Sequence, residues 1–224
     1  MLGQVLGALN VVLFRLGNDQ VTAAELFGFV TGAASVWLTV RARISNFGVG
    51  IANSGFFLVL FLSARLYADS GLQVVYIALG FTGWWQWLHG SFPGARERAR
   101  LEVARSGAWL LAGCVAFVLA ATWGLTVLLR EAHDIAPFWD ALTTAISLAA
   151  QFLLNAKRVE NWAFWIAADL IYVPLYMVKR LDLTALVYVL FLGLCAAGVS
   201  GWRKALRAGH EASVPATAVK VGGA

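Results

Sequence analysis

Residues 36–47, VWLTVRARISNF, and residues 151–162, QFLLNAKRVENW, carry one pattern twice. Sliding residues 36–87 along the chain by 115 positions places them on residues 151–202 without a gap. Arginine, asparagine, glycine and tryptophan recur in a single register, which chance similarity between apolar segments does not produce. The sequence therefore predicts an internal duplication. The identical pairs include Leu38/Leu153, Arg43/Arg158, Asn46/Asn161, Ile51/Ile166, Ala52/Ala167, Leu60/Leu175, Arg65/Arg180, Leu66/Leu181, Gly83/Gly198 and Trp87/Trp202.

The chain is far more apolar than a soluble protein. Of its 224 residues, 60% are hydrophobic and 13% are charged, and the mean hydropathy is +0.74, whereas soluble domains carry about 25% charged residues. A soluble domain of this size cannot bury so much apolar surface, and a disordered chain or a disulfide scaffold is excluded as well. Positive loops between helices explain the net charge of +5, so we expect no nucleic-acid partner. The sequence predicts an integral membrane protein.

Seven nearly uncharged stretches are candidates to cross a bilayer. A helix needs about 20 residues to cross about 30 Å of hydrocarbon. The spans are predicted to be helices because backbone groups cannot go unpaired in lipid and no alternating pattern indicates a barrel. Two of them carry a carboxylate, Glu25 and Asp169. The predicted spans are Val21–Val40, Phe47–Ala64, Gly71–His89, Gly107–Leu129, Ala141–Ala156, Asn161–Val178 and Leu183–Trp202.

The duplication groups these spans into two units of three. The copies are four spans apart, an even number, so they face the same way and form a parallel repeat. The predicted fold is all-α and integral to the membrane: seven transmembrane helices as two parallel three-helix repeats joined by a linker helix. The predicted segments are a short apolar N-terminal segment (1–20), the first repeat (21–89), a cytoplasmic loop with the linker helix (90–130), the second repeat (131–202) and a cytoplasmic tail (203–224).

The loops predict the orientation of the chain in the membrane. Of the 17 Lys and Arg residues, twelve fall on one side of the predicted spans and five on the other, which makes the first side cytoplasmic and places the N-terminus outside and the C-terminus inside. The apolar stretch Leu2–Phe14 is too short to span, and we expect a short interfacial or packing helix there. The small, polar tail after Arg207 is predicted to be disordered.

Polar and aromatic side chains follow one face of three predicted helices. On the sixth span, Asn161, Trp165, Asp169, Tyr172 and Tyr176 are spaced four, four, three and four apart, which is one helical face. Such a stripe is costly in lipid, so these faces are predicted to point inward. The other two faces comprise Asn46, Gly50, Asn53 and Phe57 on the second span, and Tyr76, Gly80, Trp84 and Trp87 on the third.

Asp169 lies near the middle of its span. An intramembrane aspartate costs roughly 2.5–3.5 kcal/mol to insert, which favours a functional role. The alternative is a protonated or hydrogen-bonded residue that holds two helices together. The adjacent Trp165 and Tyr172 favour function, and Trp165 is the best candidate to stack on a planar ring.

The sequence lacks the motifs of metal binding and of enzyme catalysis. Cys114 and Cys195 lie in apolar runs and are expected to be core residues, and no pair of histidines has metal-ligand spacing. The chain contains no phosphate-binding loop, nucleophile elbow or zinc-protease motif. We therefore expect no cofactor, no metal and no enzyme activity. A membrane enzyme or sensor stays a minor alternative, because no second catalytic group accompanies Asp169.

Five short stretches resemble the PnuC family of bacterial vitamin transporters, over roughly residues 25–205: Arg43–Asn46, Leu66–Ala68, Gly83–Trp87, Pro137–Asp140 and Val159–Trp165. The resemblance implies a fold similar to that of SWEET sugar carriers, a homotrimer in the inner membrane, and facilitated uptake made one-way by a cytoplasmic kinase. By position it also implies an aromatic pocket of Trp165, Trp84 and Trp87 with Asn46 and Asn161 as paired polar residues. Nicotinamide riboside carriers of the family have Asn where this chain has Asp169.

Together these observations predict uptake of a flat, dephosphorylated, water-soluble vitamin by alternating access, with nicotinamide riboside as the first candidate. Thiamine, riboflavin and a proton-coupled carrier that uses Asp169 are the alternatives. In this hypothesis aromatic rings stack on the vitamin, Asp169 sets the polarity of the site, and Asn53 and Asn161 bind hydroxyl groups. The site residues predicted from the sequence are Trp165, Asp169, Tyr172, Asn161, Asn53, Asn46, Trp84, Trp87 and Tyr76.

Overall fold

The computed structural model describes residues 11–16, 19–63, 67–90, 102–131, 136–178 and 182–213. Within these ranges the chain forms a β-hairpin followed by seven α-helices. The strands are β1 (Val12–Leu16) and β2 (Asp19–Thr22). The helices are α1 (Ala23–Val40), α2 (Ser45–Ser63), α3 (Tyr67–His89), α4 (Ala108–Glu131), α5 (Pro137–Asn155), α6 (Asn161–Val178) and α7 (Asp182–Ser213).

The helical fold expected from the sequence is confirmed. Each helix coincides with one of the seven predicted spans to within a few residues at most ends, and α7 extends further. Among the described residues, five helices are long and apolar enough to cross a membrane, namely α1, α2, α4, α6 and α7. The other two, α3 and α5, carry more polar side chains. The protein is therefore a helical, multi-pass membrane protein.

The structure differs from the prediction at both ends of the described chain. Val12–Leu16 is not part of a helix but pairs with Asp19–Thr22 in an antiparallel hairpin. The two residues Gly17-Asn18 between these short segments are a hairpin signal in the sequence, which favours a hairpin over a helix. At the other end α7 continues to Ser213 rather than ending in disorder after Arg207, since residues 203–208 are mostly strong helix formers. Residues 1–10 and 214–224 lie outside the described residues.

Glu25, the charged residue of the first predicted span, caps a helix. Its carboxylate accepts a hydrogen bond from the backbone N–H of Thr22 at 2.9 Å, and its own N–H donates to the Thr22 hydroxyl at 3.2 Å. This reciprocal capping box satisfies two backbone donors at the start of α1. The carboxylate therefore lies at the helix end, where negative charge is favourable.

Six of the helices pack in a closed ring. Around the ring, α1 contacts α2, α2 contacts α3, α3 contacts α5, α5 contacts α6, α6 contacts α7, and α7 returns to α1. Helix α4 packs on the outside of α5. The buried alanines of α5, Ala141, Ala145, Ala149 and Ala150, let three neighbouring helices approach it closely.

The turns before α2 and α6 have the same backbone geometry. Ala42 and Lys157, 115 positions apart, both have a positive φ, of 49° and 54°. In each turn the next residue donates its N–H five residues back: Arg43 to Leu38 at 3.0 Å and Arg158 to Leu153 at 2.9 Å. The aligned sequences therefore form the same left-handed turn at the end of α1 and at the end of α5.

Two tryptophans link helices that are not consecutive in the chain, at the α7–α1 and α3–α5 junctions of the ring. The Trp202 indole N–H donates to the carbonyl of Thr39 at 3.0 Å, which links α7 to α1. Trp87 lies 115 positions before Trp202, and its indole N–H donates to the carbonyls of Leu154 at 3.3 Å and Asn155 at 3.2 Å, which links α3 to α5. Each indole also meets an aromatic ring edge-on: Trp202 meets Trp162 at 5.6 Å, and Trp87 meets Phe47 at 5.1 Å.

Gly198 permits this packing on α7. A Cβ atom at Gly198 would overlap the Trp162 indole, whereas a Cβ at Gly193 on the same helix meets nothing within 4 Å. Gly198→Ala is expected to destabilise the protein by about 1–3 kcal/mol through overpacking, and Gly193→Ala is expected to be neutral or slightly stabilising. Thermal unfolding of the two purified variants measures the difference. Equal melting temperatures would contradict the packing of Trp162 on Gly198.

Candidate functional site

A cavity of about 500 Å³ lies within the ring of six helices and is open in part to the outside. Its wall is formed by residues of α1, α2, α3, α5, α6 and α7. Ligand-binding pockets usually have about 300–1,000 Å³ and are mostly apolar with a few placed polar groups. By size and position this cavity is the candidate functional site.

Most residues of the cavity wall come in pairs 115 positions apart. Since the pairs occupy corresponding helices, the cavity lies where the two halves of the ring meet. The pairs include Gly32/Ser147, Val36/Gln151, Phe47/Trp162, Gly50/Trp165, Ser54/Asp169, Phe57/Tyr172, Phe61/Tyr176, Gln73/Tyr188, Tyr76/Phe191 and Gly80/Cys195.

The α6–α7 half of the wall carries a cluster of aromatic side chains and the carboxylate of Asp169. Tyr172, Tyr176 and Tyr188 pack on one another with ring centroids 4.5–5.6 Å apart. Phe191 meets Tyr188 edge-on at 5.6 Å. Such a cluster presents a continuous aromatic surface on which a planar ring can stack.

Asp169 is buried in the same wall, with 3% of its surface exposed. The Cys195 thiol, a weak donor, donates to its Oδ2 at 3.6 Å. Among the described residues of the cavity wall there is no Lys, Arg or His and no second carboxylate. A carboxylate without a charged partner among these residues favours a ligand with positive charge or with hydrogen-bond donors.

Six of the nine residues predicted from the sequence line the cavity: Trp165, Asp169, Tyr172, Asn53, Asn46 and Tyr76. Asn53 already uses its side-chain nitrogen to join two helices. The Asn53 side-chain nitrogen donates to the carbonyl of Gly28 at 3.0 Å and to the hydroxyl of Thr31 at 2.6 Å. Asn53 thus links α2 to α1, and only its carbonyl oxygen is available to a ligand.

The other three predicted residues, Asn161, Trp84 and Trp87, lie outside the cavity wall. Trp84 is 37% exposed on the outer surface of α3. Trp87 is buried among core residues, where its N–H is used at the α3–α5 junction. Asn161 is fully buried at the start of α6 and donates to the carbonyl of Arg158 at 2.6 Å.

Sequence reasoning missed the face of α7 that completes the site. Tyr188, Phe191 and Cys195 are spaced three and four apart and line the cavity. They are the counterparts, 115 positions on, of Gln73, Tyr76 and Gly80. The signal was present, because applying the repeat to the face that includes Tyr76 identifies them.

An aromatic cavity with one carboxylate among its described wall residues, inside a ring of apolar helices, is typical of a membrane protein that binds a small polar molecule. Comparison with known proteins narrows this class. The model of the nicotinamide mononucleotide transporter family matches residues 22–204. The chain therefore belongs to this family of transporters.

The relatives are similar along most of their length. The nicotinamide riboside transporter PnuC of Escherichia coli (strain K12) is 26% identical over 214 residues, covering 85% of this chain and 89% of that protein. The riboflavin/roseoflavin transporter RibM of Streptomyces davaonensis is 25% identical over 199 residues, covering 87% and 91%. A crystal structure of the vitamin B3 transporter PnuC matches with a TM-score of 0.65 at 22% identity, covering 92% and 90%, and shows that the fold is shared.

Variants of Trp165 and Trp84 test whether the vitamin binds in the cavity or on the outer surface. With nicotinamide riboside as the probe, Trp165→Ala is expected to weaken binding about tenfold or more, because a stacking surface is lost. Trp84→Ala, which removes a side chain of the same size from outside the cavity, is expected to change the affinity less than about twofold. Isothermal titration calorimetry of the two variants measures this. A larger loss for Trp84→Ala would place the binding site outside the cavity.

Proposed function

We propose that the ring consists of two parallel three-helix repeats, α1–α3 and α5–α7, joined by α4, with all seven helices crossing the membrane. The matched left-handed turns, the matched tryptophan hydrogen bonds and the paired cavity wall support this arrangement. The lower hydropathy of α3 and α5 has a physical reason in this arrangement. Their polar residues, such as Gln73 and Gln151, face the cavity rather than lipid.

The proposal also covers the orientation of the chain in the membrane and its oligomeric state. The twelve-to-five distribution of Lys and Arg puts the N-terminus outside and the C-terminus in the cytoplasm of an inner-membrane protein. The segment boundaries at residues 20, 89, 130 and 202 follow from the repeat. The homotrimer implied by the family resemblance stays a prediction.

The proposed activity is facilitated uptake of nicotinamide riboside. The observation that carries this proposal is Asp169, a buried carboxylate in an aromatic cavity without a positively charged partner among the described wall residues. Nicotinamide riboside carries a positively charged aromatic ring, which stacking and cation–π contact stabilise by roughly 0.5–2 kcal/mol. Opposite charges about 4 Å apart add roughly 4 kcal/mol at an effective dielectric constant of about 20, before desolvation removes much of it. The names of the Escherichia coli and Neisseria mucosa relatives support this substrate.

Transport follows from alternating access around this cavity. One three-helix repeat rocks against the other, so that the bound vitamin faces first one side of the membrane and then the other. In this proposal no energy source is needed, because a cytoplasmic kinase phosphorylates the vitamin and keeps it from returning. Phosphorylation traps the vitamin only if the cavity rejects the phosphate ester.

Two alternatives have specific support. RibM, a relative of similar identity, is named for riboflavin, and a flavin also offers a flat ring to the aromatic wall. A proton-coupled carrier would use Asp169 as its proton-carrying group. Uptake that depends on the proton gradient in the wild type, and loses that dependence in Asp169→Asn, would favour this alternative. Thiamine, a second positively charged vitamin, fits the carboxylate as nicotinamide riboside does.

The cavity wall predicts discrimination between nicotinamide riboside and its phosphate ester, nicotinamide mononucleotide. A phosphate group entering the cavity loses its hydration without a Lys or Arg partner among the described wall residues and meets the carboxylate of Asp169. We expect nicotinamide riboside to bind about 100-fold more tightly, a difference of about 2.7 kcal/mol. Isothermal titration calorimetry of both compounds measures the ratio. Comparable affinities would show that the site lies elsewhere or that Asp169 is not part of it.

Because of Asp169, positively charged vitamins are expected to bind more tightly than neutral ones. Asp169→Asn keeps the size of the side chain, so the melting temperature is expected to stay nearly constant. Binding of nicotinamide riboside and thiamine is expected to weaken about tenfold, as for the loss of a charge-assisted contact, whereas binding of the neutral riboflavin is not. Titration of the three vitamins against both proteins checks the ranking. A wild-type protein that binds riboflavin tightly and ignores both cations would make this ranking wrong.

A further inference from the structure

One face of α1 is exposed along most of its length and ends in an arginine. Its members are spaced three, four, three and four residues apart, which is one side of a helix, and each is exposed: Phe27, Val30, Ala34, Trp37 and Arg41. The Arg41 guanidinium lies over the Trp37 indole, 4.4 Å from the ring centroid. An apolar helix face of this kind contacts the acyl chains of a bilayer, and a tryptophan beside a basic residue is typical of the headgroup level.

Helix α7 brings further basic residues to this end of α1. The two helices meet where the Trp202 indole donates to the carbonyl of Thr39 at 3.0 Å. The exposed basic side chains around this junction form a basic patch: Arg41, Arg43, Arg203, Lys204 and Arg207. None of them forms an ion pair with a carboxylate of the described chain. Like charges gathered in this way repel one another unless a ligand with negative charge lies among them.

The corresponding α3–α5 junction is covered by the chain itself. The segment before α4 pairs with the turn before α6, where the N–H of Val159 donates to the carbonyl of Ala104 at 3.0 Å. The Arg158 side chain donates to the carbonyl of Arg105 at 2.9 Å. Val159 is therefore 8% exposed, whereas Ile44, 115 positions earlier, is 36% exposed. Within the described chain, the turn before α2 has no such cover.

We propose that the basic patch binds the headgroup of an anionic phospholipid, whose acyl chains lie against the exposed face of α1. The patch supplies charge complementary to a lipid phosphate, and the adjoining apolar face suits acyl chains, which a free phosphate or an acidic protein segment lacks. In the proposed orientation the patch lies at the cytoplasmic leaflet, where clustered basic residues attract anionic lipids. This inference goes beyond the proposed function, because it does not depend on the molecule that is transported.

Two double variants form a matched test. Arg41→Gln/Arg203→Gln removes two charges from the basic patch and keeps long polar side chains. Arg15→Gln/Arg130→Gln removes two exposed arginines outside the patch. Each protein is purified in detergent and titrated with dioleoyl phosphatidylglycerol, which is anionic, or with dioleoyl phosphatidylcholine, which has no net charge. Thermal unfolding gives the melting temperature with and without each lipid.

We expect phosphatidylglycerol to raise the melting temperature of the wild type by about 5 °C, since a ligand that binds the folded state stabilises it. Phosphatidylcholine is expected to raise it by about 1 °C or less. The patch variant is expected to lose at least half of the shift, whereas the control variant keeps it. About 0.5 M NaCl is expected to reduce the wild-type shift, because salt screens exposed charges.

Three results would overturn the lipid site. They are equal stabilisation of the wild type by the two lipids, a full shift in the patch variant, and an equal shift with soluble glycerol 3-phosphate or polyglutamate in place of lipid. If the patch variant does not fold, Arg203→Gln replaces it with Arg130→Gln as its control, and a full shift in Arg203→Gln counts in the same way. Binding of nicotinamide riboside is measured separately, so failure of the lipid site leaves the proposed transport function in place.

Discussion

Two indole N–H groups, those of Trp87 and Trp202, close the ring of six helices. Each reaches a carbonyl near the C-terminal end of a helix in the other half of the ring, Leu154 in α5 and Thr39 in α1. Each of these carbonyls also accepts a backbone N–H from the turn that follows, Thr39 from Ala42 and Leu154 from Lys157, both at 2.8 Å. The indoles therefore gain acceptors for N–H donors that are buried at both junctions, where an unpaired donor would be costly, and these hydrogen bonds tie the two halves of the ring together.

The two halves share a frame but differ in chemistry. Where the first half has Gly50 and Ser54, the second has Trp165 and Asp169, and all four line the cavity. At these two positions α2 has small residues and α6 has larger ones, whereas elsewhere α2 also contributes aromatic rings to the wall, those of Phe47, Phe57 and Phe61. The carboxylate of the described wall lies on α6. In the proposed pair of repeats, this asymmetry favours a single orientation of the bound molecule.

Periodicity was sufficient to predict the helices, whereas the correspondence of these helices in two repeats stays a prediction. Hydrophobic runs predict spans because the bilayer imposes their length. The β1–β2 hairpin and the continuation of α7 were not predicted, since short apolar segments and polar helix ends depend on local contacts. Within the site, helical spacing placed Trp165, Asp169 and Tyr172 correctly on the cavity wall but also selected Trp84 and Trp87. Helical spacing identifies the residues that share one face of a helix. Tertiary packing decides which of those residues line the cavity and which contact the next helix.

We propose that the vitamin binds between the two halves of the ring, against α6. A structure of the protein determined with nicotinamide riboside tests this proposal. We expect density for the pyridinium ring against Trp165 inside the cavity, with Asp169 in contact with the same molecule. Density on the outer surface near Trp84 or on α4, with the cavity free of ligand, would contradict it.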